Sequence, residues 1–229
     1  SKQPHKEEVK KIIKTNIKSI SLISKERLLD ELKKLFRSNQ LEKLSKDKFS
    51  RDFILIIFPE LKNIKTFSKL DSNNRELLKE KDFIFLLSLM IVDGTDNTDY
   101  FLYKFNISKK DKKRIKIIDN FYKEKISLKT FTEKNMNKVF YYHGKEAIKD
   151  IINFRIVKSK KADSSLNELI KHYENIELPI LPVTADLLMR IYKIPEGKQL
   201  GVKLKLIEEE WVKNNFKISD QQVDNLINN

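Results

Sequence analysis

Apolar positions recur along the chain at intervals of three and four residues while alternation of period two is scarce, so the pattern predicts helices from end to end. Val9, Ile12, Ile13, Ile17 and Ile20 trace one face of a first helix. Ser24 is placed to cap a second, with Glu26 near its positive end and Leu28, Leu29, Leu32, Leu35 and Phe36 inward, and the two are expected to form a hairpin. The apolar run Phe53 to Phe58 has strand propensity, but Pro59 ends it and no partner strand lies nearby. A short buried helix is predicted there. Leu77 to Val92 is apolar almost all round, as expected of the central helix of a bundle.

Further along, Ser108 with Asp111 three residues on predicts the capped start of a very basic helix whose apolar face is Ile115, Ile118 and Tyr122. Ala147, Ile148, Ile151 and Ile152 mark another helix, and Ser165 with Glu168 opens one through Leu169, Ile170 and Tyr173. Lys-Ser-Lys-Lys-Ala-Asp-Ser-Ser near 159–165 reads as a polar connector. Beyond it Pro179, Pro182, Pro195, Gly197 and Gly201 concentrate the backbone breakers, then Leu200, Leu204, Ile207 and Trp211 keep helical register and Val223, Leu226 and Ile227 form a last amphipathic piece. The fold class is all-α, without a repeat of fixed period, and its helices are expected to stack pairwise as a superhelical array with a small helical tail.

Composition supports long helices: 4 Gly and 5 Pro in 229 residues are far below the usual combined share of about 12%. A hydrophobic content of 40% suffices for a packed core. No run of about 18 uncharged apolar residues offers a membrane span. With no cysteine, thiolate zinc sites and cysteine nucleophiles are excluded and a reducing cytoplasm is the expected location. His5, His143 and His172 lack metal-ligand spacing, and no metal site is expected.

The net charge of +14 is uneven: Lys104–Lys138 carries +8, whereas Ala162–Asn229 carries −3. A basic face of that kind either attracts phosphate backbones by screened Coulomb forces or is a solvated helix surface in a Lys-, Ile- and Asn-rich chain. The loop Asp93 to Asp99 alternates oxygen ligands, but its glycine stands second and Lys104 falls where a calcium loop needs Glu, so it reads as a solvated turn. No glycine-rich phosphate loop, G-x-S-x-G, H-E-x-x-H or Asp-x-Asp pair is present, and Glu208 and Glu210 point to different helix faces. No catalytic residue is assigned.

Two stretches carry a resemblance. Ser24-Lys25-Glu26-Arg27-Leu28-Leu29-Asp30-Glu31-Leu32 followed by Phe58-Pro59-Glu60-Leu61 is similar to the neck of bacterial CCA-adding tRNA nucleotidyltransferases and their poly(A) polymerase relatives. Leu181-Pro182-Val183-Thr184-Ala185-Asp186-Leu187-Leu188, Ile194-Pro195-Glu196-Gly197-Lys198-Gln199-Leu200-Gly201, Glu208 to Trp211 and Phe216 resemble the tail of the same enzymes, and Tyr141 to Glu146 lies between as an aromatic-x-G element. Ala185 and Lys193 stand where the tail pattern usually has glycine, and one residue is missing before Asp186.

The resemblance implies a C-terminal portion of such an enzyme: neck remainder 1–60, basic helical body 61–161 and tail 162–229. The catalytic head domain would lie upstream, and would bring magnesium and CTP or ATP. None of these cofactors is expected on this chain. The resemblance implies that Arg27 and Glu31 brace the neck, and that body and tail lie along the acceptor and T arms of tRNA. Physically, Lys109, Lys110, Lys112, Lys113 and Arg114 can neutralise phosphates. Gly197 and Lys198 can offer a phosphate the free N–H groups of a helix start, or simply form a turn. Tyr141, Tyr142 and Trp211 can stack on bases, although Trp211 in register with Leu200, Leu204 and Ile207 is expected in the core. The expected partners are tRNA and the head domain, with no membrane. Rival readings are a helical protein-interaction scaffold, an unspecific polyanion binder and a peripheral membrane binder.

Overall fold

The computed structural model describes residues 7–37, 41–123, 131–159 and 164–228. It is an all-α array, and among the described residues there is no strand. The chain divides into two compact units, one ending at Lys123 and the other beginning after it. This boundary falls inside the segment 61–161, so the neck remainder shares a unit with the first part of the expected body. Of the connector near 159–165, residues 160–163 lie outside the described residues.

The first unit begins with α1 (Glu7–Asn16), a 3₁₀ turn Ile17–Leu22 and α2 (Lys25–Arg37). The expected apolar face over Val9 to Ile20 is not a buried one: Ile12 is 62% exposed, and Val9 is also exposed. The helix stops because Thr15 Oγ1 and Asn16 Nδ2 bond back to the carbonyls of Lys11 and Ile12, the local competition that these side chains offer to helical pairing. Ile13 of α1 lines a cleft with Leu32 and Leu35 of α2, and α2 also packs on the helix Phe83–Ile91. Ser24 caps α2 as expected, accepting from the Arg27 N–H at 3.3 Å, and Leu29, Leu32 and Phe36 are buried.

Next come α3 (Leu41–Lys46) and α4 (Lys48–Ile57), the latter a helix over the Phe53–Phe58 run as expected but not a buried one, since Ile54 alone of its residues is buried and Ile56 is 60% exposed. Phe58, held off helical geometry by the following Pro59, closes it. A 3₁₀ turn (Ile64–Lys69) packs on α3. The stretch 77–92 is not one helix but the end of α5 (Ser72–Lys79) and all of α6 (Phe83–Ile91). Asp82 makes the break, since its carboxylate accepts from the Phe85 N–H at 2.9 Å and fixes a new helix start. From Phe85 on, α6 is buried all round. Finally α7 (Asn97–Lys104) and α8 (Lys109–Lys123) pack against it.

The second unit contains α9 (Glu133–Lys158), α10 (Ser164–Asn175), α11 (Ala185–Tyr192), α12 (Lys198–Lys213) and α13 (Asp220–Asn228). Gly144 breaks α9 with φ 80° and ψ −178°, a conformation essentially reserved for glycine. Tyr173 is buried and its hydroxyl donates to Asn137 Oδ1 at 2.7 Å, tying α10 to α9. Val183, Leu188, Leu200, Ile207 and Val223 form the core that holds α11, α12 and α13 together.

Candidate nucleic-acid interface

The positive segment is sorted by its internal partners. Lys104 donates to the buried Glu60 at 2.9 Å. Arg114 pairs with the Asp82 that caps α6, and Lys116 pairs with Asp99. Lys123 reaches Asp99 at 3.3 Å and the fully buried Asp119 at 3.2 Å. Asp119 also accepts from Thr98 Oγ1 at 2.9 Å. Lys104 thus ties α7 to the segment after α4, and the other cations are consumed in holding α6, α7 and α8 together. Lys109, Lys110, Lys112 and Lys113 have no carboxylate partner among the described residues, and all but the half-buried Lys112 are exposed. They occupy the first turns of α8, where Ser108 caps the Asp111 N–H at 3.1 Å. Lys125 and Lys129 of the same segment lie outside the described residues.

The electrostatics follow from these pairings. Burial works against the Asp82 carboxylate, but the Phe85 N–H and the Arg114 guanidinium outweigh it and hold its pKa below the ordinary value. The bond from Lys116, then that from Lys123, lowers Asp99. Burial opposes the charge on Lys123, and the two aspartates overcome it and raise its pKa.

Arg27 and Glu31 share the exposed face of α2 but do not pair; Glu31 accepts from Lys34 at 2.7 Å. Gly197 precedes α12 with φ 142° and no side-chain cap, and Lys198 is exposed. The three aromatic candidates divide. Trp211 is 2% exposed and lies in the core as expected, against Phe216 and edge-on to Tyr141. Tyr141 donates to Glu208 at 2.8 Å; burial first, then that carboxylate, pushes its pKa up to about 12. Tyr142 alone keeps an exposed ring, at 38%. The aromatic-x-G and E-x-x-W elements thus meet as one structural cluster.

Sequence pattern alone does not single out Tyr100 and Tyr103, which are both exposed. They sit three apart on α7, and Tyr103 is 89% exposed. Their signal is an aromatic pair off the apolar face of Phe101 and Leu102. Lys11, Lys14 and Lys25 are likewise exposed without carboxylate partners among the described residues. Their signal is the count of 16 Lys and Arg against 9 Asp and Glu within residues 6–65. Among the described residues no group of three or more potential metal ligands occurs, and no helix is long and apolar enough to cross a membrane.

Residues 6–65 match the family described as "Probable RNA and SrmB- binding site of polymerase A". No curated protein and no solved structure matches the chain. The matched stretch runs from α1 to the 3₁₀ turn after Phe58-Pro59-Glu60-Leu61 and is a poly(A) polymerase-like RNA-binding region, with RNA as its partner. The lysines of α8 lie outside it.

Proposed function

We propose that this chain is the RNA-holding portion of a nucleotidyltransferase of the CCA-adding or poly(A)-adding kind, acting in the cytoplasm. The observation that carries the reading is the match of residues 6–65 to an RNA-binding region of such enzymes. Arg27 and Glu31, exposed on one face of α2, then brace the neck against the catalytic head domain. Lys109, Lys110, Lys112 and Lys113 neutralise phosphates of the acceptor and T arms, and Arg114 holds α8 in place. Gly197 and Lys198 contribute a turn at the tail. Magnesium and CTP or ATP belong to the catalytic head domain of such a bacterial enzyme, in the same polypeptide or as a split partner. The test is binding and activity together. Purified chain should bind tRNA more tightly than a random single strand of equal length, and should not extend tRNA lacking its 3′ end when given CTP, ATP and magnesium. Equal displacement by both RNAs reduces the function to polyanion binding, and metal-dependent extension by the chain itself refutes the division of labour.

A second reading has its own observation. Ile13, Leu32, Leu35, Leu44, Phe53 and Ile57 line an apolar cleft of about 320 Å³ within residues 6–65. The matched family's description names a protein, SrmB, beside RNA. An apolar segment of a protein partner suits this cleft better than a polyanion does, so Leu35→Asp should abolish protein capture while leaving RNA affinity unchanged. Loss of RNA affinity in a folded variant would count against a separate protein site.

A further inference from the structure

The second unit carries a groove of about 520 Å³ between the first half of α9 and α12. Lys134, Lys138 and Tyr142 stand at four-residue intervals on α9 and form one wall, as i, i+4 spacing requires. Lys205, Glu209 and Lys213, at the same interval on α12, form the other. Four lysines face one glutamate. Lys205 approaches Glu209 only at 3.8 Å, Lys213 leans on Glu210 at 3.2 Å, and Lys134 and Lys138 make no ion pair among the described residues. Glu209 and Glu210 offset part of this charge, Glu210 also through the field of Lys134, and the remaining lysine excess favours an anion between the walls.

Tyr142 gives the groove a second property. Its ring is edge-on to Tyr141 at 5.1 Å, and Tyr141 is itself fixed by Glu208 and by the buried Trp211. The exposed ring is therefore held at the groove wall by a rigid neighbour, as a stacking platform needs. A groove of about 520 Å³ has room for an unpaired nucleotide and not for a duplex. Flat aromatic surface beside paired rows of lysine is the chemistry that binds single-stranded nucleic acid, with phosphates on the cations and a base on the ring.

We infer that this groove is a second RNA site, taking single-stranded RNA with a base stacked on Tyr142 and phosphates on Lys134, Lys138 and Lys205. It rests on the reading that the chain binds RNA, and belongs to the second unit, whereas α8 and residues 6–65 belong to the first. It assigns to the second unit the hold on an unpaired segment.

The test uses the full chain with a fluorescein-labelled oligouridylate, and a thiouridine-substituted copy for photo-crosslinking. The crosslink is expected on Tyr142. Combined K134Q, K138Q and K205Q should flatten the plot of log K against log salt by about 0.7 for each phosphate released. Tyr142→Ala should weaken binding about tenfold, and Tyr142→Phe should leave it unchanged. A duplex of equal length should compete poorly. Glutamine keeps helix propensity, and circular dichroism checks that the variants fold. If the unaltered chain binds RNA but the variants bind equally well and the crosslink falls elsewhere, this inference alone is overturned. If the unaltered chain binds no RNA, both readings fall. Polyglutamate bound as tightly as the RNA, and lost in the same variants, makes the groove an acidic-peptide site and overturns the RNA assignment.

Discussion

Lys193 ends α11 in the left-handed conformation, with φ 57° and ψ 26°, where the resembled tail pattern carries glycine. The chain has kept the turn and changed the residue, so a lysine Cβ bears a steric cost that glycine escapes. Lys193→Gly should therefore raise stability by about 1 kcal/mol after glycine's greater chain entropy is subtracted, which at this size is about 2–4 °C in Tm. A thermal melt of the unaltered chain and the variant decides it, and an unchanged or lower Tm disproves the strain. Gly197, with φ 142°, shows the opposite case, since any side chain there is strained although space is open around it. At this scale the caps at Ser24 and Ser108 were legible because donor and acceptor lie three residues apart. Arg114 was not, because its partner Asp82 is 32 residues away and only packing brings the two together.

Among the elements, α8 is where the sequence reading and the structure part most usefully. Five basic residues in six positions read as one phosphate-binding cluster, yet three face water, Lys112 is half-buried and Arg114 closes an ion pair on the start of α6. The two kinds should separate by experiment. Replacing Lys109, Lys110, Lys112 and Lys113 with Gln should flatten the salt dependence of tRNA binding by up to about one unit for each phosphate no longer neutralised, and leave the melt unchanged. Arg114→Gln should instead lower Tm and barely move the salt slope. The reverse pattern would show that the structural division of the cluster is mistaken. Glu60 gives a stability test of another kind. It is 2% exposed and depends on Lys104, so Lys104→Met leaves a carboxylate buried without its cation and should cost about 3 kcal/mol, read by urea unfolding. Restoration by K104M combined with E60Q would confirm the pairing. The split of 77–92 into two helices was legible, since Lys79-Glu80-Lys81-Asp82 interrupts the apolar run and ends in a capping aspartate, and a reading of the stretch as one apolar helix passes over it.

For the molecule as a whole, lowered carboxylates gather in the first unit and raised tyrosines in the second, although Glu210 of the second unit is also lowered and Lys123 of the first is raised. Glu42, Asp82, Asp93 and Asp99, all in the first unit, have pKa values below their ordinary ones. A carboxylate of this kind stabilises the fold above its ordinary pKa of about 4, and the contribution is lost as pH falls through the lowered value. Tyr141, Tyr142, Tyr173 and Tyr192, all in the second unit, are raised, Tyr141 to about 12. Their contribution is complete below pH 10 and is lost as pH climbs from 10 towards 12. Trp211 is the single tryptophan and reports on the second unit. In acid, helical ellipticity should therefore fall before tryptophan fluorescence changes, and in alkali the fluorescence should respond early, with Tyr141→Phe delaying it. Simultaneous loss of both signals at each extreme would argue against two separately responding units. The all-α class was legible in the sequence because helical periodicity is local and breakers are few. The division at Lys123 was not, because it depends on which helices bury one another's faces. The asymmetry of α8 has a mechanical meaning at this scale. Its first half presents uncompensated lysines and the positive pole of the backbone dipole, while its second half is neutralised by Asp99 and Asp119, so the helix is an electric lever with one charged end. In the field of a polyanion such a helix experiences a torque as well as a pull, which favours an approach with that end forward.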